Sequence, residues 1–376
     1  MNIHRFYATG FRNIESCDIS FTPGVNLLFG MNAQGKTNVV EGIYIFSRGR
    51  SFRSSDEKEL VRLGSEGFRI GIDYSSSMGE GNLEYAVYGR ERVRKKNGYK
   101  VKGVQEMLDS FRAVLFSPDD LELVKRGPEE RRAMINVGAA SVYPGYISDY
   151  QRYKNALENR NGLLKLISRG MYVDRRELTS WSTVLAEYAA SIFVSRMDYI
   201  RMLEKHTGRI DAELSSGRDR LTLGYKSDIF KCESLETDDT AFDKVSVTEK
   251  YHKVFTEQEE REIAAGVTLF GPHRDDLLIG VNNLAARSFA SQGQQRSAVL
   301  SVKLAEGEVI REVTGEYPVF LFDDVLSELD ELRRGYVIEG MHDRQIIITS
   351  CESDELQKHA ETLISVEGGK YVSSRR

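Results

Sequence analysis

Residues 30–37 read GMNAQGKT, a full Gly-x-x-x-x-Gly-Lys-Thr pattern, and what stands on either side of it decides the fold. Before it, Val25 to Phe29 (VNLLF) is a short continuous apolar run, as a buried strand makes. After Lys36, TNVVEGIYIF carries apolar residues at 39, 40, 43 and 46, a helical spacing. Strand, glycine loop and helix in that order predict a phosphate loop. The glycines take backbone angles that other residues avoid and let amide N–H groups close around phosphate oxygens. The helix that follows points the positive end of its dipole at the anion. Lys36 would reach the β- and γ-phosphates, and the Thr37 hydroxyl would ligate Mg2+. Gly30, Met31, Asn32, Ala33, Gln34, Gly35, Lys36, Thr37 and Asn38 are therefore the candidate ATP-binding stretch. A chance glycine turn is the alternative, and the flanking strand and helix weigh against it.

A second motif supplies carboxylates. FLFDD, residues 320–324, has three apolar residues and then two aspartates, the pattern of a Walker B strand end. Asp323 would hold Mg2+, and Asp324 would stand where a general base orients the attacking water. Alone, the pattern fits a buried strand ending in an acidic turn equally well; beside a full Walker A it points to one site. Positions 36 and 323 are 287 apart. A compact phosphate-loop domain does not need that much chain between the two strands, so the nucleotide domain is expected to be split by an insertion.

The inserted region reads differently from its flanks. Between 147 and 205, Tyr150, Tyr153, Leu157, Leu164 and Ile167 keep helical steps. After a break around Arg169 to Thr179, Trp181, Leu185, Tyr188, Ile192, Tyr199 and Met202 do the same. Two such helices joined by a turn predict an antiparallel hairpin, too short for a long coiled-coil arm. Residues 233–243 (ESLETDDTAFD) are acidic and weakly apolar, a surface-loop composition. Pro318 to Phe322 and Gln345 to Thr349 are two more buried-strand candidates.

Composition sets the class. Hydrophobic residues are 40% of the 376, charged residues 29%, and the net charge is -5, so the chain is a folded protein and not a basic nucleic-acid binder throughout. Any nucleic-acid contact must come from a local patch. Cys17, Cys232 and Cys351 are odd in number and far apart, which argues against a disulfide framework or a Cys-x-x-Cys metal site. The start lacks an apolar signal core, and no apolar run approaches the ~20 residues that span a bilayer. A cytoplasmic protein without a membrane partner is expected.

One basic patch stands out. Residues 90–102 (RERVRKKNGYKVK) hold seven Lys or Arg and one Glu around Asn97-Gly98, the strongest short hairpin signal. Arg92, Arg94, Lys95, Lys96, Lys100 and Lys102 are DNA-binding candidates on a basic ribbon, and Tyr99 could stack. A charged edge strand protected against aggregation explains the same residues. Arg152, Lys154, Arg160 and Lys165 on the helices are weaker candidates, since such charge is usually solvated. His273 and Arg274, in GPHRDD, lack a second ligand at metal spacing, and a buried ion-pair turn accounts for them better.

SQGQQRSAVLSVKLAEGEVI (291–310) has apolar residues at 298, 299, 302, 304, 305 and 309, a helix opened by a small-residue turn and hence a second anion-type N-terminus. Ser327-Glu328-Leu329-Asp330 follows FLFDD. The set resembles ATPase heads of the ABC and SMC type: Walker A at 30, a signature SQGQQ at 291, Walker B at 320 and a D-loop at 327. More closely it resembles the RecF family of bacterial recombination mediators, through GMNAQGKTN, GRSFR (49–53), FGPHRDDL (270–277), SQGQQR (291–296), LFDDVLSELD (321–330) and YQRYKNALENRNGLLK (150–165).

The resemblance implies an α/β phosphate-loop head, residues 1–115 with 266–376, split by a mostly helical lobe, 116–265. It implies that Ser291, Gly293, Gln294 and Gln295 act in trans on ATP bound at Lys36 of a second copy, with Asp330 at the dimer seam and Arg12 near the phosphates. It implies DNA, single-stranded, gapped or duplex, as ligand, RecR, RecO and RecA as functional partners, and a role in replication, gap repair and SOS induction. Two departures stand out: Asp324 replaces the usual glutamate, and Thr349 or Ser350 replaces the switch histidine. Both suggest slow hydrolysis suited to a timer rather than a motor, not well above ~1 s⁻¹, and the resemblance implies a weak, DNA-stimulated ATPase. A kinase or other ATPase unrelated to DNA leaves the SQGQQ helix unexplained; a pure SMC-like scaffold would want longer arms.

Overall fold

The computed structural model describes residues 1–230, 242–341, 343–351 and 356–375. Cys232 and most of the acidic 233–243 stretch lie outside them; at its end Asp243 caps the helix Lys244–Glu257, accepting from the Ser246 N–H. The chain divides into two compact units, Met1–Glu122 with Val299–Arg376, and Leu123–Ala298.

Among its described residues the first unit has two six-stranded sheets. One is antiparallel, in the order Ile14–Ser20, Asn2–Phe11, Gly67–Ser76, Gly79–Tyr88, Glu91–Lys96, Tyr99–Lys100. The other runs Lys370–Arg375, Thr362–Glu367, Val25–Phe29, Ile346–Ser350, Val319–Asp323, Ala113–Phe116, and is parallel except for its first strand. Val319–Asp323 and Ile346–Ser350 are buried at every position, as the continuous apolar runs predict for parallel strands covered on both faces. The helix Lys36–Arg48 contributes Val39, Val40, Ile43 and Phe46 to one core with Phe6, Phe11 and Ile70 of the antiparallel sheet and Leu321 and Ile347 of the parallel one. Because these strands are parallel, the phosphate loop after Phe29, Asp323 and Ser350 all stand at one carboxyl edge, where open α/β sheets place their ligands.

Among the described residues of the second unit are the helices Pro128–Val142, Tyr146–Ser168, Arg175–Ser215 and Lys244–Glu257, and the three-stranded sheet Leu284–Ala285, Asp276–Val281, Leu221–Lys226. Tyr146–Ser168 and Arg175–Ser215 pack antiparallel: Arg152 reaches Tyr188 while Arg160 reaches Ser182. The break between them is shorter than the sequence suggested, because Asp174 caps the Arg176 N–H and starts the second helix at once. The buried stripe is Leu178, Ser182, Leu185, Ala189 and Phe193; Trp181, Tyr188 and Met202 are only half-buried. Small residues let the helix axis come close, so larger neighbours are displaced to its flanks.

The units' limits depart from the expected lobe boundaries at 116 and 266. Residues 266–298 pack with the helical unit because Asp276–Val281 pairs in antiparallel register with Leu221–Lys226, from Asp276 against Lys226 to Val281 against Leu221. No helix among the described residues is long and apolar enough to cross a membrane.

Candidate functional site

The phosphate loop is built on two glycines that no other residue could replace without strain. Gly30 has φ 152°, and a Cβ there would stand 2.3 Å from the Val366 carbonyl oxygen. Gly35, the N-cap of Lys36–Arg48, has φ 114°, and its Cβ would meet the Tyr371 hydroxyl at 2.6 Å. The C-terminal hairpin therefore forms the back of the loop, and it adds bonds: Gly368 N–H donates to Gln34 Oε1 (2.6 Å), and Tyr371 OH donates to the Gly35 carbonyl (3.3 Å). Asn13 donates to the Ala33 carbonyl (3.1 Å) and accepts from Asn38 Nδ2 (2.6 Å). Met31 is exposed. Lys36 is buried, its ammonium donating to the carbonyls of Gly30 (2.8 Å) and Met31 (3.0 Å).

A cavity of about 440 Å³ opens over this loop, lined by Arg12, Asn13, Asn32, Ala33, Gly35, Lys36, Thr37, Asn38, Arg53, Glu59 and Asp324. Thr37 Oγ1 donates to Asp323 Oδ1 at 2.9 Å, although 286 residues separate them. Thr349 Oγ1 donates to the same oxygen (2.8 Å) and accepts from the Asp324 N–H (2.9 Å). Burial raises the Asp323 pKa, and the hydroxyls of Thr349 and Thr37 partly offset this. A threonine hydroxyl and one carboxylate beside a phosphate loop are hard oxygen donors, the set that suits Mg2+, which takes few protein ligands and leaves its other positions to phosphate and water. Thr37 and Asp323 would hold the cation, which when bound neutralises phosphate charge. Among the described residues no cluster of three or more His, Cys, Asp or Glu offers an all-protein metal cage.

Several expected residues have different surroundings from those foreseen. Arg12 does line the cavity, with φ 55°, but its guanidinium is held bidentately by Glu41 at 2.6 and 2.9 Å. Thr349 is buried between the two aspartates, and Ser350 is buried beside it. The residue of that strand end that reaches the loop is Cys351, whose thiol donates to Asn32 Oδ1 (2.7 Å) and lies 3.5 Å from the Lys36 ammonium. Glu41, Arg53 and Cys351 were missed as site residues. Only the GRSFR string hinted at Arg53.

The signature residues form a self-capped helix start. Gln294 N–H donates to Ser291 Oγ (3.2 Å), and Ser291 N–H donates to Gln294 Oε1 (2.9 Å), a reciprocal capping box. Gln294 also donates to Asp219, and Gln295 is buried, donating to the Ala290 carbonyl. Gly293 is exposed, and a Cβ there would meet nothing within 4 Å. Asp330 caps the helix Glu331–Glu339, accepting from the Arg333 N–H.

The Asn97-Gly98 turn is formed, with φ 51° and 81°, and pairs Lys96 with Tyr99. Three of the six candidate cations are engaged. Arg92 pairs with Glu57, Lys95 donates to Glu84 (2.8 Å), and Arg94 lies 4.8 Å over the Tyr85 ring. Lys96, Lys100 and Lys102 have no carboxylate partner among the described residues, and Tyr99 is 79% exposed. Arg160 is not on a solvated face. It is fully buried, bonded to Glu262 (2.6 Å), Ser182 (2.9 Å) and Thr268 (2.8 Å). In GPHRDD the ion pair is made by Asp276 with Arg131, not by Arg274, which is exposed. His273 meets the Tyr153 hydroxyl, and burial pushes its pKa down to about 4.

Fold and site together define a phosphate-loop head of the ABC and SMC type, split by a mostly helical unit. Residues 2–373 match the family described as RecF/RecN/SMC N terminal domain. The DNA replication and repair protein RecF of Clostridioides difficile (strain 630) is 36% identical over 99% of this chain and 98% of that protein. The protein of the same description from Bacillus subtilis (strain 168) is 35% identical over 94% of each. A structure of the recombination mediator protein RecF with ATP, in the RecFOR pathway, superposes with a TM-score of 0.89 at 32% identity, covering 99% of this chain and 97% of that one. The Smc head domain from Pyrococcus furiosus, at a TM-score of 0.57 and 19% identity, shares the fold. The chain belongs to the RecF family.

Proposed function

We propose that this chain is an ATP-dependent DNA-binding protein of replication and recombinational gap repair, acting in the cytoplasm as a nucleotide-switched clamp. The observation that carries the reading is the Thr37–Asp323 hydrogen bond beside Lys36, which joins two distant motifs at one cavity. ATP would lie over the loop with its phosphates against Lys36 and the amides at the start of the helix, and Mg2+ between Thr37 and Asp323. Asp324, which lines the cavity, would orient the attacking water. Its short side chain fits slow hydrolysis, so the chain would serve as a weak, DNA-stimulated ATPase.

The self-capped Ser291–Gln294 turn supports a second copy as partner. Glycine early in a helix costs up to about 1 kcal/mol relative to alanine, and among the described residues no atom stands within 4 Å of where a Cβ at Gly293 would be. A close approach by another molecule would require the glycine, namely the ATP held by Lys36 of a second copy. DNA would meet the Lys96–Lys102 ribbon in its gapped, single-stranded or duplex form. By family membership, RecR and RecO would work with the clamp in placing RecA at gaps, which feeds SOS induction.

The test is DNA retention by mobility shift, with gapped DNA and with ATP, ADP or no nucleotide. Retention that needs ATP and is lost in Asp323→Asn supports the clamp. Equal retention in all three nucleotide states rejects it.

A further inference from the structure

Glu41 lies inside the helix Lys36–Arg48, five residues beyond the loop lysine, and is fully buried. A buried carboxylate is costly unless it is paired and hydrogen-bonded. Here it is both. Arg12 donates to it through Nη2 (2.6 Å) and Nε (2.9 Å), Ser51 donates through its hydroxyl, and Arg53 Nη1 lies 3.5 Å away. Both guanidiniums line the nucleotide cavity. Each is held at a second point: Arg12 Nη1 donates to the Glu59 carbonyl and Arg53 Nη1 to Asn38 Oδ1, both at 2.9 Å.

A plain structural ion pair would match one cation to one anion. This cluster sets two guanidiniums on one carboxylate, so within it the cations outnumber the anion. Arg12 is also held in the left-handed backbone region, which a non-glycine residue keeps only where its surroundings over-determine it. The bidentate grip of Glu41 fixes the plane of that guanidinium, as the fork geometry of arginine allows.

We propose that Glu41 is a positioning residue for the nucleotide: from the buried face of the helix it anchors Arg12 and Arg53, the cationic wall of the cavity. The proposal rests on the nucleotide reading of that cavity. Removing the carboxylate leaves two mobile cations at a wet rim. There the Coulombic attraction of an extra unmatched charge is weakened by water, so lost orientation outweighs it and affinity falls.

The experiment is a double-mutant cycle on the full chain, read as the Kd of a fluorescent ATP analogue with Mg2+, with thermal melting as the check on folding. Glu41→Gln is expected to weaken binding about 10-fold, and Arg12→Gln/Arg53→Gln at least as much. If Glu41 acts only through the arginines, the triple variant binds no more than about 2-fold worse than the double, because residues in one network are non-additive. Wild-type affinity in Glu41→Gln, or losses that multiply fully in the triple variant, overturns the proposal. Should Glu41→Gln fail to fold, Glu41→Asp keeps the charge but withdraws it by one methylene. The same loss and the same non-additivity are expected, and wild-type affinity overturns the proposal. A wild-type chain that binds no analogue at all instead sinks the nucleotide reading, and this inference with it.

Discussion

Two of the helix starts that carry a glycine, GMNAQGKT and SQGQQ, are built to opposite specifications. At GMNAQGKT the chain itself requires both glycines, through positive φ and through contacts a Cβ could not make. The loop faces a cavity that already holds a lysine, a threonine and an aspartate. At SQGQQ the turn is exposed, Ser291 and Gln294 satisfy each other, and a side chain at Gly293 would meet open space. One turn brings its own cation and carboxylates; the other offers a helix terminus with open space, among the described residues, where a side chain on Gly293 would stand. The difference fits the proposal that the two are halves of one site, with the second half supplied by another copy.

That contrast can be broken in several ways. Asp323→Asn should lower Mg2+-dependent ATP affinity about 1,000-fold, roughly 4 kcal/mol, whereas Ser291→Arg should leave the affinity of the isolated chain within about 2-fold. Isothermal titration of both variants decides it, and a large loss at Ser291 would mean that the signature acts in cis. The same substitution at the two glycines should then have opposite signs. Gly35→Ala is expected to destabilise the chain by about 1–3 kcal/mol, through backbone strain and the clash with Tyr371. Gly293→Ala should stabilise it by up to about 1 kcal/mol. Denaturant midpoints of the pair measure this; destabilisation by Gly293→Ala would show that the chain needs that glycine after all.

How much of this was legible follows the range of the interactions. The loop, the aspartate pair and the Asn97-Gly98 turn are local signals, and each stands where its spacing predicted. Arg160 and Glu41 could not be read that way. A buried ion pair obeys no periodicity, and its partner, Glu262 or Arg12, lies far off in the chain. Arg160 therefore passed for a surface cation. The end of the helical unit was missed for a related reason: the Leu221–Lys226 pairing with Asp276–Val281 joins residues 50 to 60 positions apart. Cys351 sits one position beyond the end of the strand Ile346–Ser350, and no local pattern marks it as a loop contact.

The carboxylate of the complete half also gives a pH signature. Burial raises the Asp323 pKa, so the folded chain keeps that proton to higher pH than an unfolded one. Any stability linked to the protonated form is present at low pH and fades as pH rises. Cation binding needs the ionised form and shows the reverse. ATP affinity with Mg2+ should therefore begin to fall, on acidification from neutral, above the ordinary aspartate range near ~3.9. Thr349→Val removes a hydroxyl that holds this pKa down, so it should move the fall to higher pH. Affinity measured across a pH series checks both, and an unchanged onset in Thr349→Val would show that the hydroxyl has no such role. The smallest effect is expected at the hairpin: replacing Lys96, Lys100 and Lys102 by alanine should flatten the salt dependence of DNA binding by about three phosphate contacts. An unchanged slope would make the ribbon a solvated edge.

The most direct test of the two-halves account is sedimentation of the chain with ATP, with ADP and without nucleotide, in the presence and absence of gapped DNA. The account predicts a dimer in ATP alone that carries the DNA with it; a monomer indifferent to nucleotide would contradict it.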